Sequence, residues 1–212
     1  DRAALGLVLS MELIGMAVGS VILGGVADRI GRRATIHGCL VVMAAGMGAV
    51  PLVSDVAALS AVRLVTGFGI GGMLACTNAM VAEFSNQKNR HLAVVLMAAG
   101  YPLGAVVGGA IASSLLASGG WRDVFVFGAA ATAVFLPLAW FLLPESVGFL
   151  TNRAPSRALE KVNRVLARLK QPTVTAMPQV QAAPKISLAA LFSPALARTT
   201  VLLTVGYFSH IM

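Results

Sequence analysis

Five stretches of this chain run for about twenty residues or more with almost no charge, a pattern that water cannot solvate but a bilayer can. They fall at roughly 5–27, 34–53, 57–82, 92–117 and 124–143. An α-helix rises about 1.5 Å per residue, so about 20 residues cross the ~30 Å hydrocarbon core of a membrane. A helix of a soluble bundle would carry polar residues along one face at 3.6-residue spacing, whereas these blocks are apolar all round. With 58% hydrophobic and 11% charged residues and a mean hydropathy of +0.85, the apolar material exceeds what one soluble core can hide. The expected class is an all-α, multi-pass membrane protein with the lipid bilayer as its first partner.

The charges set the orientation. Arg29, Arg32 and Arg33 follow the first block, Lys88 and Arg90 follow the third, and a further basic cluster from Arg153 to Arg198 follows the fifth. The alternate connections hold only Arg2 and Arg122. The positive-inside rule therefore places the richer side in the cytoplasm, so the net charge of +8 reads as topology and no nucleic-acid partner is expected. Cys39 and Cys76 lie in separate blocks without paired spacing, which points to packing residues and to neither a disulfide framework nor a metal site. Motifs of hydrolases or metalloenzymes such as HExxH and GxSxG do not occur, so no catalytic residue and no cofactor is expected, and a polytopic enzyme or sensor is the less favoured alternative.

After the fifth block the composition changes. Residues 147–196 carry several prolines, glutamines and basic residues and read as a cytoplasmic linker. Within it, Pro155 to Lys170 has the pattern of an amphipathic helix: Leu159, Val162, Leu166 and Leu169 share one face, and Arg157, Lys161, Arg164 and Arg168 another. Such a helix either lies along the membrane surface or packs on its own bundle. Residues 197–212 begin another apolar segment, and both ends of the chain read as cut.

Inside the spans, glycines recur at four-residue spacing: Gly15 with Gly19, Gly67 with Gly71, and Gly100, Gly104 and Gly108. This spacing lines up the missing side chains on one face and lets backbones touch. Pro102 removes a backbone donor within the fourth span and marks a hinge.

A few charges stand out. Gly24, Asp28, Arg29, Gly31, Arg32 and Arg33 crowd the short loop after the first span; Gly31 permits a tight turn, Asp28 can meet a positive helix N-terminus, and the arginines can donate to carbonyls or carboxylates. Arg63 lies within the third span, where it either faces an aqueous cavity or a carboxylate, or reaches outward along the ~9 Å to the surface. Glu83 closes the same span at its cytoplasmic end and calls for a basic partner, either Arg90 or an arginine of the Asp28 loop. Glu12, about 10 Å into the first span, carries a proton, pairs with Arg63, or reaches toward external water or a neighbouring helix.

The run from Gly24 to Arg33 resembles the signature loop GxxxD(R/K)xGR(R/K) of the major facilitator superfamily, and Arg63-Leu64-Val65-Thr66-Gly67-Phe68-Gly69-Ile70-Gly71-Gly72 resembles its RxxxGxGxGG span motif. Gly100 to Gly109 is similar to the fifth-span pattern, and Pro144-Glu145-Ser146 to the motif after the sixth. The resemblance implies that residues 1–146 are a truncated N-terminal bundle holding family spans two to six, that 197–212 begin the C-terminal bundle, and that the first span and most of the second bundle belong to the same protein but lie outside this chain. It also implies a gating role for the Asp28 loop and a role in substrate or proton coupling for Arg63, Glu83 and Glu12. Within the superfamily the motifs look closest to bacterial aromatic acid:proton symporters. That branch implies uptake of a small organic acid across the inner membrane by alternating access, driven by the proton gradient. A sugar or other metabolite:proton symporter is the alternative within the family.

Overall fold

The computed structural model describes residues 2–153, 157–177, 192–194 and 196–206, together with the backbone of 207–211. Among the described residues every regular element is helical. Five helices have the length and apolarity of membrane spans: α1 (Arg2–Ile30), α2 (Arg32–Ala49, extended to Leu52 by a single 3-10 turn), α3 (Val56–Phe84), α4 (Arg90–Ser118) and α5 (Trp121–Leu142). Two shorter helices follow, α6 (Val147–Arg153) and α7 (Ala158–Arg168). The chain divides into two compact units, Asp1–Met177 and Pro178–Met212; within the second, α8 covers Ala197–Ile211.

The helices overrun the apolar blocks at most ends, because hydrogen bonding continues through polar flanks that hydropathy leaves out. A helix of 29 residues is about 43 Å long, enough to cross the hydrocarbon and stand in both headgroup layers. Local chemistry sets the boundaries. Gly31, with φ 106, turns the chain between α1 and α2 in a single residue, a conformation open to glycine and strained for other residues. Asp55 caps α3 by accepting the Ala58 N–H at 2.7 Å. At the start of α5 the Asp123 carboxylate accepts the Gly120 N–H at 2.9 Å.

Leucines, valines and phenylalanines cover the outside of the spans, with Leu13, Val106 and Phe141 among the most exposed. A soluble monomer does not show so continuous an apolar coat; a lipid-facing one requires it. The buried residues gather toward the basic end, where Ala27, Ile36, Leu40, Cys76 and Met80 pack between α1, α2 and α3.

The linker expected over 147–196 is divided in space. Its first part, through Met177, belongs to the same unit as the spans. There α7 sets Val162 and Val165 against Leu150 of α6, with Phe84 at the end of α3 beside them. Between the two placements open to the amphipathic helix, the structure takes packing on the bundle. The helix is also shorter than Pro155–Lys170: Pro155 lies outside the described residues, and the chain turns at Leu169 and Lys170. Of the rest of the expected linker, 178–196, residues 178–191 and 195 lie outside the described residues as well.

Candidate functional site

The site is built on a glycine seam. A Cβ placed on Gly15 or Gly19 of α1 would collide with the carbonyl oxygens of Leu64 and Phe68 of α3; one on Gly67 or Gly71 of α3 would collide with those of Glu12 and Met16 of α1. The two pairs of glycines thus let each backbone sink into the other. Partner numbers rise together along both helices, so α1 and α3 run parallel, as spans separated by one intervening helix must. On its other sides α3 sets Gly69 against Cys39, Val42 and Met43 of α2, while Gly72 faces Leu23 of α1 and the Cys39 sulfur. Cys39 and Cys76 are free, buried thiols that serve this packing.

Two pairs of charges meet, each 51 residues apart in sequence, one across the α1–α3 seam and one between the start of α2 and the end of α3. Toward the end opposite the basic loops, Arg63 Nη1 lies 3.1 Å from Glu12 Oε1 with both side chains mostly shielded, 16% and 18% exposed. The Arg63 guanidinium also stands over the Phe125 ring of α5, 5.2 Å from its centroid. Of the courses open to Arg63 and Glu12, the structure takes mutual pairing. Separating them would leave two charges in a low-dielectric setting without partners, a cost of several kcal/mol.

Glu83 is twenty residues further along α3, about 30 Å at helical rise. Its Oε2 accepts a bond from Arg32 Nη1 at 2.6 Å and from the Ser146 hydroxyl at 2.7 Å, and its Oε1 accepts the Gly148 N–H at 2.5 Å. Its basic partner is thus an arginine of the Asp28 loop; Arg90 lines the adjoining cavity, with no ion pair to Glu83 among the described residues. Ser146, fully buried, also accepts the Phe149 N–H and so starts α6. Beside it, Glu145 Oε1 accepts the Arg33 N–H at 3.1 Å and the Ser146 N–H at 2.9 Å. A Cβ on Gly31 would crowd the same carboxylate.

The remaining loop residues are placed as follows. Asp28 is 71% exposed, with its carboxylate 3.9 Å from Arg32, and the N–H accepted by a carboxylate in the first turn of α2 is that of Arg33, bonded to Glu145 in place of Asp28. The Asp28 carbonyl accepts a bond from Arg153 Nε at 3.3 Å. Gly24 borders α3 near Ala75, and Arg29 is exposed. A methyl group added to Gly100, Gly104 or Gly108 would meet nothing within 4 Å among the described residues, and α4 runs unbroken through Pro102. In the sequence Glu145 and Ser146 stand out only as part of a motif, and Phe125 does not stand out at all; nothing in their own spacing ties them to Glu83, Arg33 or Arg63, residues far away along the chain.

Parallel apolar helices on a glycine seam, with a shielded ion pair at one level and a charge network at the basic end, define an integral membrane protein built like a carrier. The family model described as Major Facilitator Superfamily matches residues 1–212, and the chain belongs to that superfamily. The 4-hydroxybenzoate transporter PcaK of Acinetobacter baylyi is 32% identical over 98% of this chain and 47% of its own length. A gallate transporter of Pseudomonas putida is 33% identical over 80% of this chain and 37% of its own. The chain therefore spans about half the length, or less, of these curated relatives. These relatives are transporters and not enzymes. Among solved structures, the proton:xylose symporter XylE bound to 6-bromo-6-deoxy-D-glucose superposes with a TM-score of 0.64 at 22% identity, covering 80% of this chain and 40% of XylE, a likeness of fold alone.

Proposed function

We propose that this chain supplies the proton-coupling half of a carrier that takes up a small aromatic acid with protons across the bacterial inner membrane by alternating access. The observation that carries the reading is the Glu12–Arg63 pair beside the Phe125 ring. A guanidinium presents a planar fork that fits a carboxylate, whether it belongs to Glu12 or to a substrate. While Glu12 is ionised it holds Arg63. When Glu12 takes a proton the attraction is lost, and Arg63 becomes available to a substrate carboxylate whose ring can lie against Phe125. Return of the proton to the cytoplasm restores the pair and expels the anion, so the two fluxes run together. The solutes for which these relatives are named, 4-hydroxybenzoate and gallate, are aromatic acids, which supports this substrate class.

At the basic end the Glu83–Arg32–Ser146 network acts as the gate: it ties the start of α2, the end of α3 and the start of α6 into one block. The proton gradient is the only driving agent required, and further helices of the same protein complete the pathway.

The test is uptake by the full-length protein in proteoliposomes under an imposed inward proton gradient. Labelled 4-hydroxybenzoate should accumulate, and Arg63→Ala should abolish accumulation while leaving insertion intact. Accumulation of xylose in place of the acid would overturn the reading in favour of a sugar:proton symporter.

A further inference from the structure

At the basic end, the start of α2, the connection that follows α5, α6 and α7 enclose a cup of about 490 Å³ lined by Arg33, Lys161, Arg164 and Arg168, with Glu145 as the one acidic residue among the described residues that line it. The Glu145 carboxylate is already engaged by the N–H groups of Arg33 and Ser146. None of the ion pairs among the described residues includes any of the four basic side chains. The cup therefore carries an uncompensated positive charge.

Its position is fixed by the end of α5. The last carbonyls of a helix lack partners within the helix. Here Arg33 donates to the Trp140 carbonyl and Arg168 to the Phe141 carbonyl, the latter at 3.1 Å, so two arginines cap α5 and are held at the depth where that span leaves the hydrocarbon. The side chains there point outward: Trp140, Phe141 and Leu142 are 60%, 74% and 58% exposed. Arg33 also stands over the Trp140 ring, 5.4 Å from its centroid. Two of the cup's arginines thus tie it to the last turn of α5, whose Trp140 and Phe141 are exposed, and a basic cup beside apolar side chains at a span end offers a phosphate-sized anion and an acyl chain what each requires.

We infer that this cup binds the phosphate of an anionic phospholipid, with the glycerol and acyl chains lying along Trp140 and Phe141. A soluble phosphate would meet the same guanidinium groups but would make no use of the exposed Trp140 and Phe141 beside them. Neither Arg63 nor Glu12 takes part, so the inference stands apart from the transport reading.

The experiment uses the full-length protein, delipidated in detergent, and counts retained lipids by native mass spectrometry after incubation with equal phosphatidylglycerol and phosphatidylcholine. Phosphatidylglycerol should be retained several-fold over phosphatidylcholine. The double substitution K161Q/R164Q removes two exposed charges of the cup and leaves the α5 caps in place; it should bring the two lipids close to parity. The charge-matched K88Q/K170Q, outside the cup, should keep it. Equal retention of both lipids by the unsubstituted protein, or an unchanged preference in K161Q/R164Q, would overturn the inference, as would an equal loss in K88Q/K170Q. Displacement of phosphatidylglycerol by millimolar inorganic phosphate, with chloride at equal ionic strength without effect, would assign the cup to a soluble anion and overturn the lipid assignment.

Discussion

The α1–α3 seam and the face of α4 carry the same sequence device with different outcomes. In the seam, Gly15, Gly19, Gly67 and Gly71 bring two backbones together so closely that no methyl group fits between them. On α4, Gly100, Gly104 and Gly108 have the same spacing, and among the described residues nothing would meet a methyl group there. Four-residue glycine spacing therefore creates a face that permits close approach, and the partner comes from elsewhere. In the seam that partner is a second pair of glycines in matching register. The register does more than pack: it sets Glu12 beside Arg63, and the one-residue turn at Gly31 then starts α2 with Arg32 against Glu83 near the end of α3.

The sharpest way to break this contrast is Gly71→Val. The new side chain meets the Met16 backbone, which can yield only by separating α1 from α3, and a loss of about 3 kcal/mol or more in unfolding free energy is expected. Thermal or denaturant unfolding in detergent measures it, and a loss below about 1 kcal/mol would show that the seam is looser than its geometry. Arg32→Ala should cost less, about 1–2 kcal/mol in the same assay, because Glu83 keeps Ser146 and Gly148 as donors. Ser146→Ala added to Arg32→Ala should cost more than the sum of the two single changes, which double-mutant comparison reads directly. The smallest effect is expected for Gly104→Val, within about 0.5 kcal/mol. A cost there equal to that of Gly71→Val would reveal a partner for α4 in the complete protein.

The five spans were legible because hydrophobic runs report the solvent and need no knowledge of neighbours. The tight turn at Gly31 was legible for a similar reason, since a one-residue connection between two helices leaves glycine little competition. Pairing was less so. Glu12 and Arg63 each stood out as charges in oil, but which of several courses each takes depends on how two helices are rotated about their axes, and that is decided by the seam. Glu83 called for a basic partner, and the choice of Arg32 over Arg90 depends on how the start of α2 meets the end of α3 in space. The cup at the end of α5 was out of reach altogether, since Arg33 and Arg168 are brought together by α7 folding back onto the bundle, one of two placements its amphipathic pattern allowed.

The most direct test of the account separates exchange from accumulation in Glu12→Gln. If the Glu12 proton is what couples the solute to the gradient, the variant in proteoliposomes should still exchange labelled 4-hydroxybenzoate for unlabelled but should fail to concentrate it under an imposed proton gradient. Uphill accumulation at the unsubstituted level would contradict the account, because the Glu12–Arg63 pair would then have no part in coupling.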